Sequence, residues 1–391
     1  MRAASLAVMA AALALAPACG QAADKIKIGF ISSLSNPSLA AGPQLLDGFK
    51  LGIEDSGGNL GGLDVDLIVG DDQGKPDVGV QVARRMLDED KVAIITGIVP
   101  SNIMLAVAHT VLPRKVLIVS VQAGPSQLAG KECSPYFFAA SDQTDTSTEA
   151  LGQYLDKKGV KNVYAIAANY AAGRDLVTGL KRTYKGTLSG EAYTPLGQLD
   201  YAAEMAEIRN AHPAAVFYFQ QSGNASINFV KQYAEAGLKG SVPLYTVATI
   251  VDEETLPGMG DAAIGVQSSG FWGANLDNAA NRAFVQHFEA KYKRRPSVFT
   301  VFAYDGARLI DSAVRAVGGH VENTDALRAA LKAAKFASVR GDFRFGPNQF
   351  PIQSLYMLEV KRDASGTPVN EITETIEKDM ADSYAAECKM P

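Results

Sequence analysis

Histidine, cysteine and tryptophan are all scarce in this sequence. The 391-residue chain carries four histidines, three cysteines and one tryptophan. The histidines, at 109, 212, 287 and 320, are scattered, with no HExxH pair and no metal-ligand spacing. Other signatures of catalysis are missing as well. No GxxxxGK[ST] loop cradles a phosphate, and no GxSxG elbow presents a nucleophilic serine. The glycines of "GGNLGG" follow a helical pattern instead of a strand, so they read as a turn. The adjacent Asp71 and Asp72 end a strand pattern, where neighbours point to opposite faces and cannot act as an acid–base pair. The sequence therefore argues against an enzyme, and no cofactor or metal is expected. No run of basic residues recurs along the chain. With a formal net charge of -5, nucleic acid is a poor partner candidate and none is expected.

Long apolar runs occur only at the start. "MRAASLAVMAAALALAPACGQAAD" has one arginine, an apolar centre and a small-residue exit, the pattern of a secretory signal over 1–23. No later segment reaches the roughly 20 apolar residues of a membrane helix. The mature chain is expected to be exported to the periplasm. "APAC" offers lipid anchoring at Cys19 as the lesser reading, because Ala16 stands where a larger aliphatic residue is usual. Removal of the signal leaves Cys133 and Cys388, an even pair in an oxidising compartment, hence one expected disulfide. Closing so long a loop is worth about 5 kcal/mol in the chain-entropy model.

Glycine and branched apolar residues are plentiful, and they fall in a rhythm. "IKIGFIS" precedes a helical pattern whose Leu45, Leu46, Phe49 and Ile53 share a face; "LDVDLIVGD", "DVGVQVARRMLDED", "VAIITG" and "KVLIVSV" continue the alternation. It restarts with a helix "TSTEALGQYLDKKGV" and strands "NVYAIAA", "AAVFYF" and "VPLYTV". The expected fold is α/β, with two Rossmann-like lobes built on parallel-rich sheets. Two long helices after "GFWGANLD" have no strand between them and must pack on an existing sheet, so the chain returns to the first lobe. A strand-like pair, "GDFRFGPNQF" and "SLYMLEVKRD", then precedes the tail.

In open α/β sheets, ligands gather beyond the carboxyl ends of the strands. Ser101 and Asn102 sit at such an end, where free helix N–H groups suit an anion, although Ser101 could equally cap its helix. The next loop, "VQAGPSQL", places Gln122, Ala123 and Gly124 beside them, and together the two loops would hold a carboxylate. In the second lobe, Tyr170, Gln220, Gln221 and Ser222 follow strands, and Phe271 and Trp272 lie where the chain changes lobe. Aromatic rings and uncharged amides would enclose a flat, partly apolar ligand. Inter-lobe packing is the competing use of Phe271 and Trp272, and a core edge that of Tyr170.

"KIKIGFISSLS", "DGFKLGIEDSGGNLGG", "VDLIVGDDQGKPDVGVQVARRML", "VLIVSVQAGPSQLAGKECSPYFF" and "FEAKYKRRPSVFTVFAYDGARLI" together resemble the periplasmic solute-binding proteins of ATP-binding-cassette importers, in the leucine/isoleucine/valine-binding branch. The resemblance covers the mature chain. It implies two lobes joined by three crossings, near 140–144, 267–272 and 337–342, that close on ligand like a trap. The lobes would be 24–141 with 272–338, and 142–271 with 339–391. Amino-acid binders of this branch carry a threonine where Gly124 stands and an acidic residue for the ammonium where Ala248 and Thr249 stand, with Asp252 further along. Their first-lobe aromatic corresponds to Leu39 or Ala40. These departures, with Ser101 kept, imply a carboxylate without an amino group. The "SN" and "AGPSQLAGK" loops look like the aromatic-acid sub-branch, for benzoate-like or cinnamate-like acids. The expectation is a monomeric, non-enzymatic receptor that hands a small-molecule carboxylate to an ABC permease. A binder of branched-chain amino acids or amides, with Asp72 or Asp252 swinging in to meet the ammonium, and a ligand sensor for a signalling partner are the rival readings.

Overall fold

The computed structural model describes residues 25–36, 39–333 and 335–390; the expected signal over 1–23, with Cys19, lies outside them. Strands rich in Ile, Val and Phe build the first sheet. In chain order the elements are β1 (Lys25–Ser32), α1 (Ala41–Asp55), β2 (Asn59–Leu60), β3 (Leu63–Asp71), α2 (Pro76–Arg85), β4 (Ile94–Thr96), α3 (Ser101–Val111), β5 (Leu117–Ser120), α4 (Ser126–Ala129) and β6 (Phe137–Ala139). The sheet order is β2-β3-β1-β4-β5-β6, parallel except for the β2–β3 hairpin. Strands β1, β4, β5 and β6 are buried on both faces, as parallel strands covered by helices must be.

The chain then enters a second sheet through α5 (Thr146–Lys157), β7 (Asn162–Ala168), α6 (Ala171–Thr183), β8 (Thr187–Thr194), α7 (Ala202–Ala211), β9 (Ala215–Phe219), α8 (Asn224–Glu235), β10 (Leu244–Val247), α9 (Leu256–Met259) and β11 (Gln267–Gly270). Helices α10 (Ala279–Tyr292), α11 (Val298–Ala316) and α12 (Thr324–Ala333) follow, then β12 (Arg344–Phe345), β13 (Pro351–Arg362) and β14 (Pro368–Met380). The second sheet runs β12-β13-β11-β10-β9-β7-β8, with β14 on the outer side of β13. The fold is the two-lobed α/β architecture expected. Among the described residues, no helix is long and apolar enough to cross a membrane.

The returning helices lie where the apolar periodicity required. Phe284, Phe288, Phe302 and Leu309 share one core with Ile28, Phe30, Leu45 and Phe49 of the first lobe. The helix α1 is sandwiched between its sheet and α11, so its buried face centres on Leu45, Gly48, Phe49 and Gly52, while Leu46 and Ile53 are half-buried. Gly48 permits that close approach, because any Cβ there would collide with the carbonyl of Thr300. Several elements were absent from the sequence reading, among them β6, β8, β11, α12 and β14. Strand β14 alternates weakly, with Val369 buried and most of its other side chains partly or fully exposed.

Cys133 and Cys388 form a disulfide, with Cα atoms 5.6 Å apart. It draws the segment after β14 onto the segment before β6, so the tail of one sheet is fastened beside the other. Replacing Cys388 by serine is expected to destabilise the oxidised protein by about 2–5 kcal/mol. Urea unfolding with and without dithiothreitol would check this: the reductant should weaken the wild type and leave Cys388→Ser unchanged.

Candidate ligand-binding site

Between the lobes lies a cavity with about 640 Å³ of space free of protein atoms, open solvent at its mouth included. Five aromatic rings reach its wall: Tyr170 and Phe219 from the second lobe, Phe299 and Phe302 from α11, and Phe271 from the segment after β11. Tyr170 stacks on Phe219 at 6.2 Å between centroids and 17° between planes. No lysine or arginine lines the cavity.

Ser101 opens α3 after an extended Pro100, whose carbonyl takes the N–H groups of Ile103 and Met104 (3.0 Å each). The helix therefore starts without a side-chain cap, and the Ser101 hydroxyl makes no hydrogen bond among the described residues. It faces the cavity beside Gln122, whose Oε1 is buried and unpaired, as is the Ser269 hydroxyl on the same wall. Buried polar atoms without partners are costly, and a polar ligand would satisfy them. Ala123 is on the wall too, its N–H directed to the Ile98 carbonyl at 3.4 Å.

The structure brings together Ser101, Gln122, Ala123, Tyr170, Gln221, Thr249 and Phe271 on this cavity. Gln220 is also on the wall, but its amide serves the second lobe. It donates to Thr194 Oγ1 (3.0 Å) and the Pro195 carbonyl (2.8 Å) and accepts from Gly197 N–H (3.2 Å). Gln221 donates to the Tyr170 hydroxyl at 2.5 Å and so fixes the ring. Leu39, Asn102, Gly124 and Trp272 are not on the wall. Trp272 donates its indole N–H to Asn281 Oδ1 (2.7 Å) and is part of the first-lobe core. Gly124 packs against Asp142, where a Cβ would strike the Asp142 carbonyl, so this glycine serves chain packing.

Asp72 and Asp252, the carboxylates of the amino-acid reading, are engaged elsewhere. Asp72 accepts from the Ser33 hydroxyl (2.5 Å) and Gly74 N–H (2.8 Å). Asp252 accepts from Ser222 (2.5 Å), Thr255 (2.9 Å) and Glu254 N–H (3.0 Å). Neither lines the cavity. A third carboxylate does: Asp142, at the first crossing between lobes, which the sequence reading missed. Burial pushes its pKa up to about 7, against the pull of Arg340. Its neighbours in sequence, Ser141 and Thr144, are tied to the Gln122–Gly124 loop by bonds from Ser141 to the Gln122 carbonyl (3.2 Å) and from Thr144 to the Gly124 carbonyl (2.9 Å). Among the described residues, no cluster of His, Cys, Asp and Glu could hold a metal ion.

The family described as periplasmic binding protein matches residues 25–367. The chain is similar to "Leu/Ile/Val-binding protein homolog 6" of Brucella melitensis, at 28% identity over 91% of this chain and 93% of the relative. Among solved structures it is similar to an ABC-transporter solute-binding protein from R. palustris in complex with benzoate. There the identity is 30%, the TM-score 0.87 and the coverage 93% of this chain and 99% of that one. A solute-binding protein from Rhodopseudomonas palustris BisB5, in complex with 3,4-dihydroxybenzoic acid, is 29% identical with a TM-score of 0.86, covering 92% and 99%.

Two wall residues should separate cleanly in stability. Ser101→Ala removes a hydroxyl that pairs with nothing among the described residues and is expected to change unfolding free energy by less than about 0.5 kcal/mol. Gln220→Ala strands its partners in the 194–197 loop and is expected to cost about 1–3 kcal/mol. Urea denaturation of both variants reads the contrast.

Proposed function

The chain belongs to the periplasmic binding protein family, as a solute-binding protein of ABC transporters, and on that premise we propose that its ligand is a small aromatic carboxylate of the benzoate or cinnamate kind. The observation that carries this reading is the wall itself: five rings surround a space that also holds the Ser101 hydroxyl at the start of α3 and the unpaired Gln122 Oε1 and Ser269 hydroxyl. The carboxylate docks at the Ser101 hydroxyl and the first-turn N–H groups, where the helix dipole favours negative charge. The ring lies among Tyr170, Phe219 and Phe271, and Gln221 and Thr249 meet its substituents. The benzoate and dihydroxybenzoate held by the two solved relatives support the same class of ligand. Because the ligand touches both lobes, it favours the closed arrangement, which a monomeric receptor then presents to its permease. The chemistry is binding alone, without an enzymatic step.

A second reading rests on Asp142. A carboxylate on the wall is a seat for an ammonium, so a branched-chain amino acid is the rival ligand, in keeping with the Leu/Ile/Val-binding homologue. The two ligands titrate in opposite directions. An anion beside Asp142 favours its protonated form, so a bound aromatic acid raises that pKa further, and affinity should fall as pH rises through about 7. An ammonium favours the ionised form, so amino-acid affinity should rise through the same window.

Thermal unfolding with benzoate, hydroxybenzoates, cinnamates, leucine and valine tests both readings. A ligand at 100 times its dissociation constant adds about 2.7 kcal/mol, a visible melting shift. Stabilisation by the aromatic acids alone, stronger at pH 6 than at pH 8, is the expected result. Stabilisation by leucine or valine, stronger at pH 8, would replace it with the amino-acid reading.

A further inference from the structure

The lobes touch at several points outside the cavity, and these contacts are not equivalent. On one side, Ala40 N–H donates to the Ser222 carbonyl (3.1 Å), and Gln44 donates to Asp252 at a long 3.3 Å. Asp252 is already satisfied within its own lobe by Ser222, Thr255 and Glu254, so it loses little when the lobes part. Two ion pairs, Arg294 with Glu254 and Arg295 with Asp363, are partly exposed and therefore weak.

The other side is built differently. Asp175, on α6 of the second lobe, is 8% exposed. Its Oδ2 accepts from the Ser126 backbone N–H (3.0 Å) and its Oδ1 from the Ser126 hydroxyl (2.8 Å). Ser126 belongs to the first lobe. The Asp175 carboxylate makes no other hydrogen bond among the described residues, so its own lobe gives it no hydrogen-bond partner. Arg182, further along α6, is ion-paired with Asp145 and Glu149 and reaches Asp175 only as a longer-range attraction, without a hydrogen bond. A carboxylate buried with all its hydrogen bonds on the opposite lobe stabilises neither lobe alone. It stabilises their contact.

We propose that Asp175 is the latch of the closed state: by gripping Ser126 it fixes the first-lobe loop that carries Gln122 and Ala123, and so sets ligand affinity without touching ligand. The idea rests on the receptor function above. A protein whose binding-competent state is partly populated binds more weakly by that fraction, so a contact made only on closure acts directly on affinity and residence time. Neighbours of Asp175 on the same helix, Ala172 and Leu176, line the cavity, which places the latch at the ligand's edge.

The test compares the full chain with Asp175→Ala, Asp175→Asn and Ser126→Ala. Small-angle scattering without ligand reads lobe opening, and stopped-flow mixing with benzoate reads the rates. Asp175→Ala is expected to enlarge the radius of gyration and to raise the benzoate dissociation constant about tenfold or more, through faster dissociation at an unchanged association rate. Asp175→Asn, which keeps one acceptor, should fall between, and the melting temperature without ligand should barely move. Should Asp175→Ala not fold, Ser126→Ala removes the hydroxyl from the other side of the contact. A folded variant with the wild-type radius and wild-type dissociation rate overturns the latch; a change in either supports it. Failure of benzoate to bind the wild type would count against the ligand reading alone, and the radius would then decide the latch by itself.

Discussion

One guanidinium holds the junction between the lobes together. Arg340, in the third crossing, is buried with Asp305 of α11, and its Nε donates to that carboxylate at 2.8 Å. Its remaining N–H groups reach the Ser141 carbonyl (2.6 Å), Gln353 of β13 (2.8 Å) and the Ala140 carbonyl. Asp305 in turn accepts from the Ser338 hydroxyl (2.6 Å) and the Val339 N–H (3.1 Å). Two crossings, a first-lobe helix and a second-lobe strand therefore share one ion pair. Removing either partner would strand a buried charge, a loss on the order of 3–5 kcal/mol. Lysine could not substitute, because the fork of an arginine is what serves several acceptors at once. The charge also reaches the cavity: it pulls on Asp142, two residues beyond Ala140, and partly offsets the burial that would keep that carboxyl neutral.

The architecture was legible because burial on both faces of a parallel sheet writes itself as short, nearly continuous apolar runs. "IKIGFIS" and "AAVFYF" could hardly be anything else. The return of α10 and α11 to the first lobe followed from apolar faces that needed a partner. Strand β8, "TLSGEAYT", was missed because it is an edge, with mixed burial and a glycine in its centre. Strand β14 was missed for a related reason: it flanks β13 as the outermost member of its sheet, so few of its positions are required to be apolar.

The rule that ligands gather beyond strand ends singled out Ser101, Gln122, Tyr170, Gln221 and Phe271, and each of them lines the cavity. It could not decide between adjacent residues. Phe271 and Trp272 differ by one position; both belong to the first-lobe core, but only Phe271 also reaches the cavity wall. Gln220 and Gln221 divide in the same way, one amide locking its own loop and the other a tyrosine ring. Asp142 escaped notice because no strand or helix pattern marks the crossing. The signal available was a lone acidic residue in "AASDQTD", at the segment where the family resemblance places a hinge.

The disulfide has a topological consequence. Cys133 and Cys388 are 255 residues apart in sequence, and the bond closes that stretch into a single covalent ring. The ring contains the second sheet, the three crossings and the helices that return to the first lobe. A single cut by a protease anywhere within it opens the ring but releases no fragment. The lobes then remain joined by bonds as well as by packing, and a nicked molecule in an oxidising compartment is still one molecule.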